Sequence, residues 1–348
     1  MGLETIVAAL AIFLALGFDF VNGFHDTANA VATVIYTKAL KPGVAIVMSA
    51  VLNFLGCLLV GTAVAQVITK IIPAETVTLP IVVSVLLAAV IWNLITWWFG
   101  IPVSSSHCLI ASLFGAGVCA NGLKGVEWSE LYRVIAGLFI SPVLGFFAGW
   151  LMTWVTLKIS KEHEKSPEEK AADKTAAKKK PNIMRILHVV ASASVSFTHG
   201  SNDGQKTMGI ITLILGTHFA GYTTNVVPLW VMAAAATAMA LGTIIGGWKV
   251  IRTVGTKISR ERLSHSQGFG ASMSTALIIL LASAYGAPIS TTHTLSSAVA
   301  GGTIPAHGKD KLNPKTVKLL ASAWILTIPV AATLSAICYS ILRLLWHR

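Results

Sequence analysis

The amino-acid sequence predicts an all-α polytopic membrane protein of two inverted-topology repeats with broken or re-entrant helices, about ten full crossings plus the re-entrant segments. Three observations support this. Of the 348 residues, 54% are hydrophobic and only 11% are charged, against about 25% charged in an ordinary soluble domain. Apolar runs long enough to cross a bilayer, ~20 residues each, recur from end to end between short polar loops. The third observation is that the chain repeats itself.

The halves divide at a charged stretch, Lys158 to Arg185, with KEHEKSPEEKAADKTAAKKKP at its centre. Almost free of apolar residues, it cannot bury a core and reads as a linker. Residues 1–157 form the first membrane repeat and 186–348 the second, with 158–185 between them. Asn22-Gly-Phe-His-Asp26 parallels His199-Gly-Ser-Asn-Asp203 at an offset of 177. Phe99-Gly-Ile-Pro-Val-Ser-Ser-Ser-His107 parallels Tyr285-Gly-Ala-Pro-Ile-Ser-Thr-Thr-His293 at 186, as Gly56 and Gly61 do Gly242 and Gly247. Pro142 aligns with Pro329 at 187. Four landmarks in one order establish a repeat.

The first half has apolar segments at about 4–22, 25–37, 43–69, 79–99, 103–120 and 132–157. The second and fifth are short and follow Gly-containing polar sequence, and interrupted segments at matching places mark a transporter's binding site. The first segment lacks a basic n-region and contains Asp19, so it reads as a retained helix and not a signal peptide. The cysteines, Cys57, Cys108, Cys119 and Cys338, lie in apolar sequence without a CxxC pair and read as small core residues.

Lys and Arg set the orientation. With the second segment of each half re-entrant and the N-terminus outside, the inside loops hold Lys38 and Lys41, nine residues from Lys158 to Arg185, five from Lys249 to Arg262 and four from Lys309 to Lys318, together 20 of 26. Making the fifth segment re-entrant, with the second a crossing, moves two of those clusters outside. Charge therefore favours an inverted repeat with a cytoplasmic linker and both termini outside. The net charge of +12 is explained without nucleic acid.

Ionisable groups inside spans cost ~2.5–3.5 kcal/mol each on an insertion scale, so they mark function. Asp19, Asn22, Asp26, Asn29 and Thr33 fall within an arc of about 80° on a helix, and Ser196, His199, Asp203 and Lys206 repeat the stripe. The second constellation runs from Gly100 to His107 and from Gly286 to His293. Gly and Pro end one helix and hydroxyl residues cap the next, whose free N–H groups and partial positive charge suit an anion. Ser104, Ser105 and Ser106 with Ser290, Thr291 and Thr292 add donors for a tetrahedral oxyanion. His107 and His293 are placed to orient these triplets; His25 and His199 are not repeated features. No histidine set has metal-ligand spacing, no nucleophile–His–acid pattern appears, and no P-loop or nucleotide-binding domain is present, which argues against an enzyme or an ATP-driven pump.

Gly23-Phe-His-Asp-Thr-Ala-Asn-Ala30 and Gly200-Ser-Asn-Asp-Gly-Gln-Lys206, with the two Gly-x-Pro-x-hydroxyl-triplet-His stretches, resemble the inorganic phosphate transporter (Pit-type) family. The resemblance covers nearly all the chain outside the linker. It implies secondary phosphate uptake across the cell inner membrane. Ser104 to Ser106, Ser290 to Thr292, Lys206 and Asn202 would bind phosphate, and Asp26, Asn29, Asp203, Asn22 and Asp19 the coupling ion. His25 stands where the family usually has Asn, and Lys206 where sodium-coupled members have Asn. The Gly-Gln-Lys form is similar to the bacterial branch, which takes up phosphate with protons, often as a neutral metal–phosphate complex. The expected coupling ion is thus H+ ahead of Na+, with no cofactor beyond a divalent metal accompanying phosphate. The expected partners are phosphate and the lipid bilayer, a homodimer being the assembly allowed. A sodium-coupled symporter and a sulfate permease on the same scaffold are the alternatives; a channel would need a continuous pore, which buried acids and broken helices disfavour.

Overall fold

A computed structural model describes residues 2–160 and 183–346; the charged linker between these stretches, read from the sequence as cytoplasmic, falls largely outside the described residues. The first half holds α1 (Leu3–Tyr36), α2 (Pro42–Leu59), α3 (Ala63–Ile68), α4 (Leu79–Phe99), α5 (Ser105–Asn121) and α6 (Trp128–Ser160). The second holds α7 (Ile183–His218), α8 (Leu229–Ile245), α9 (Trp248–Thr256), α10 (His265–Ala284), α11 (Thr291–His307) and α12 (Pro314–Trp346). Each helix of one half thus has its counterpart six places on. Among the described residues the only β pairing is an isolated antiparallel bridge, Ser259–Leu312.

Short-range chemistry places the turns. Gly100 and Gly286 adopt φ of 65° and 67°, a left-handed conformation that glycine takes without the steric cost of a Cβ. Four residues later Ser104 and Ser290 cap α5 and α11, each side chain accepting from the His N–H three residues on at 3.1 Å. The α8–α9 pair is bent by 72° beside Gly246, at φ 69°.

The expected break between the first and second segments does not occur. α1 is a single 34-residue helix through Asn22–Asp26, and α7 a single 36-residue helix through His199–Asp203. Their glycines serve packing instead. A Cβ on Gly23 would meet the Met239 carbonyl oxygen at 2.2 Å, and one on Gly200 the Asn53 carbonyl oxygen at 2.1 Å. Gly242 and Gly56 are pressed in the same way onto Phe20 and Phe197, so α1 crosses α8, and α7 crosses α2, backbone to backbone. Among the described residues, seven helices are long and apolar enough to cross a membrane, or eight if α8–α9 is one span. Ten are not reached because α7 carries too many polar residues and α11, at 17 residues, is too short.

α1 and α7 lie antiparallel at the centre. Asn22 bonds Asp203, Ser192 bonds the Ala30 carbonyl, Thr37 meets His188 and Arg185 bonds the Ala39 carbonyl, so numbers rise along one helix as they fall along the other. α6 packs on α11 and α12 on α5, while their outer faces present Phe139, Leu144, Phe147, Ile325, Leu326 and Ile337, a surface suited to lipid.

The close crossings make a stability prediction. Gly200→Val should destabilise the protein by about 1–3 kcal/mol through overpacking, lowering the unfolding temperature in detergent. Gly17→Ala should be neutral or stabilising, since nothing lies within 4 Å of its added Cβ. Equal unfolding temperatures for the two would show that the contact at Gly200 is not tight.

Candidate functional site

Four polar elements meet midway along α1 and α7, the first turn of α5 arriving from one turn and that of α11 from the other. The two turns touch: Ser106 Oγ donates to the Ile289 carbonyl at 3.0 Å, and the His107 and His293 rings stand 4.4 Å apart. Two helix N-termini with their partial positive charges therefore face one small region. His293 is also stacked on Trp324 at 4.0 Å, and the Trp324 indole N–H donates to the Pro102 carbonyl at 3.1 Å.

The acids face these hydroxyls. Asp26 accepts from Ser105 Oγ at 2.9 Å and from Thr292 Oγ1 at 3.1 Å, and lies 2.7 Å from His25 Nδ1. Asp203 lies 2.6 Å from Lys206 Nζ and accepts longer bonds, 3.4 Å each, from Asn22 Nδ2 and Ser105 Oγ. Lys206 also donates to Ser106 Oγ at 2.5 Å. All of these side chains are buried. Lys206 turns inward and does not reach the membrane surface as a flexible lysine stem can.

The repeat shows in these contacts. Asn29 Nδ2 donates to Thr292 Oγ1 at 2.7 Å just as its counterpart Lys206 donates to Ser106, the counterpart of Thr292. Other predicted positions sit differently. Asn202 holds the turn before α11, donating to Ser283 Oγ at 3.0 Å and the Ala287 carbonyl at 3.2 Å and accepting from Ile289 N–H at 3.4 Å. Ser104 and Ser290 are caps, and the Thr291 hydroxyl is buried without a partner. Asp19 is buried with both carboxylate oxygens unpartnered.

Two residues set aside in the sequence join the site. His25 bridges Asp26 and, at 3.4 Å, Thr96 Oγ1. His199 Nδ1 meets Asn53 Oδ1 at 2.9 Å, and its Nε2 lies 3.7 Å from Asp203. Asp26, His199 and Asp203 each offer a ligand atom within 4.8 Å of the others, close enough to share one cation, although the sequence spacing of these residues gives no metal signature. Their buried, symmetry-unmatched polar character was the available signal.

Comparisons with known proteins agree with this picture. The model of the phosphate transporter family matches residues 22–335. A probable low-affinity inorganic phosphate transporter of Bacillus subtilis is 41% identical over 99% of this chain and 100% of its own length. The low-affinity inorganic phosphate transporter PitA of Escherichia coli is 30% identical, with 96% of each chain covered. A solved structure described as the sodium-dependent phosphate transporter superposes with a TM-score of 0.83 at 28% identity, covering 97% of this chain and 99% of that one.

The buried ion pair carries its own prediction. Lys206→Met leaves the Asp203 carboxylate without its cation and should cost about 3–5 kcal/mol, read as a lower unfolding temperature in detergent. Adding Asp203→Asn should recover most of that loss. If the double variant is no more stable than the single one, the pair is not the reason Lys206 is tolerated inside the bundle.

Proposed function

The chain belongs to the phosphate transporter family and is a transporter, not an enzyme; on that premise we propose that it imports inorganic phosphate by proton symport across the plasma membrane. One observation carries the reading: two hydroxyl-capped helix starts converge on Lys206 and on two buried acids. Thr291 offers a free hydroxyl donor to a tetrahedral oxyanion, and Ser105, Ser106 and Thr292 become donors to it on leaving Asp26 and the Ile289 carbonyl, with free first-turn N–H groups behind them. Ser104 and Ser290 hold those turns in shape, and Asn202 holds the turn leading into the second. Lys206 supplies fixed positive charge.

Asp26 and Asp203 can accept hydrogen bonds from protonated phosphate oxygens. Sulfate has no proton to give near neutral pH, and two carboxylates beside it would repel it. A divalent metal accompanying phosphate would find ligands in Asp26, His199 and Asp203, in competition with Lys206 for Asp203. Sodium coupling is the second reading. The carbonyl oxygens of Asn22 and Asn29 are buried without partners, and such oxygens suit a hard cation. Protons are favoured because Lys206 places a permanent ammonium where the other repeat has Asn29, and an ammonium offers no lone pair.

The topology that fits is an inverted repeat, supported by the antiparallel α1 and α7. In that arrangement the α4–α5 and α10–α11 turns would lie on opposite membrane faces if these helices were full crossings. They touch at Ser106 and Ile289, which favours two re-entrant hairpins meeting at the centre. Each half then crosses through α1, α2–α3 and α6, or their counterparts. Every basic loop keeps the side that charge assigns it, with the linker inside and both termini outside.

Reconstituted protein should take up labelled phosphate in preference to sulfate, without need of sodium, and lose accumulation when a protonophore is added. Asp26→Asn should abolish uptake while the protein still inserts, since neutralising a buried acid eases insertion. Sodium-stimulated, protonophore-resistant uptake would establish the second reading instead. A reporter fused after Arg348 should report from outside; a cytoplasmic signal would overturn the inverted arrangement.

A further inference from the structure

Of the three acids buried on α1 and α7, two are held by short contacts with partner side chains and one is not. Asp26 faces His25, Ser105 and Thr292, and Asp203 faces Lys206, Asn22 and Ser105. Asp19 is fully buried, and neither of its carboxylate oxygens has a hydrogen-bond partner. The nearest donors are the Thr207 hydroxyl and the Asn22 amide, which act on Asp19 without a bond of regular geometry. Asp203 and Lys206 of α7 act on it through space, and Cys57 of α2 lies near. His25 and Asp26 sit further along its own helix, and α4 and α8, also packed against α1, carry no titratable side chain there. Lys249 of α9 is held at the Trp98 carbonyl.

An ionised carboxylate with no partner is among the most costly groups a protein interior can hold, and the usual outcome is neutralisation by a proton. We propose that Asp19 carries the coupling proton, with Asp26 and Asp203 kept for the substrate. The inference rests on the proton-symport reading and names the group on which that reading depends. Asp19 is seven residues before Asp26 on one helix, about 10 Å along the axis, on the side of the site that an outside N-terminus makes the outer one. A proton from outside water bonds to one Asp19 oxygen, and the same O–H bond breaks when the proton passes to water inside. One proton crosses for each cycle and offsets one negative charge of the phosphate carried with it.

Coupling follows from electrostatics. The three acids outnumber the one lysine, Lys206, so an ionised Asp19 adds negative charge that opposes an incoming anion. A proton on Asp19 removes one of those negative charges, so proton and phosphate each strengthen the other's binding. The second half has no equivalent: the position matching Asp19 is Ser196, whose hydroxyl donates to the Ser192 carbonyl at 3.1 Å within its own helix.

The full chain in proteoliposomes tests this with labelled phosphate, an imposed pH gradient and no sodium. Wild type should accumulate phosphate, with a KM that rises as outside pH rises. Asp19→Asn should lose at least ~10-fold of gradient-driven accumulation, the scale of a typical coupling free energy, and show a KM independent of pH. It should still exchange inside for outside phosphate, and Asp19→Glu should restore accumulation. Gradient-driven accumulation by Asp19→Asn at the wild-type level would overturn the proposal. So would loss of exchange together with accumulation, which marks a structural or substrate-binding role. A wild type that ignores the pH gradient would fail the symport reading itself, and this inference with it.

Discussion

A lysine ammonium and an aspartate carboxylate 2.6 Å apart, sealed inside a membrane bundle, constrain everything around them. Neither charge could be placed there alone, because stripping an ion of water costs far more than any single contact returns. Together they form one turn of α7, so the pair is made as soon as that helix forms. It still leaves the lysine's other hydrogens to satisfy, and Ser106 from a different half of the chain takes one of them. The first turn of α5 is thereby tied to α7, and the α11 turn to α5 through Ile289. An anion site formed by two helix starts is the geometric consequence.

Close packing surrounds the pair on its other side. α7 approaches α2 without a layer of side chains between. Gly56, Gly200 and Gly204 give that approach, each with a neighbouring backbone or side chain where a Cβ would stand. The same contacts recur on α1 through Gly23 and Gly242. Small residues at these crossings do for the bundle what bulky apolar residues do in a soluble core, since lipid offers no hydrophobic gain for bringing helices together.

What was legible in the sequence follows the reach of each interaction. Gly100, Ser104, Gly286 and Ser290 act within four residues, so the turns and caps could be read directly. The polar stripe on α1 was legible because helical periodicity is local too. Gly23 and Gly200 were misread as breaks, because a glycine that ends a helix and a glycine that lets another helix touch look alike until the partner, Met239 or Asn53, is in place. The histidines show the same limit. His25 and His199 fail the repeat test, yet each touches an acid of the site, and only the fold brings Asp26 from one half beside His199 of the other.

The repeat failures are where a symmetric scaffold acquires direction. Two identical halves, related by inversion, would make a site with the same properties seen from either face, which can exchange its substrate but has no built-in place for one coupling ion. Four substitutions break the equivalence here: Asp19 against Ser196, Asn22 against His199, His25 against Asn202, and Asn29 against Lys206. Asn202 locks the turn before α11 through three bonds to Ser283, Ala287 and Ile289, whereas His25 pairs with Asp26 and reaches the matching hairpin only at Thr96, at 3.4 Å. The turn before α5 is also held from outside α1, by Thr253 at the Gly100 carbonyl and Trp324 at the Pro102 carbonyl. The α10–α11 turn is thus anchored by the central helix of its own half, and the α4–α5 hairpin both by α1, through Ser105 and Asp26, and by α9 and α12 of the opposite half. Asp19, the acid without a counterpart in the second half, lies on that same α1, so it and the turn with the borrowed anchors belong to one half of the molecule.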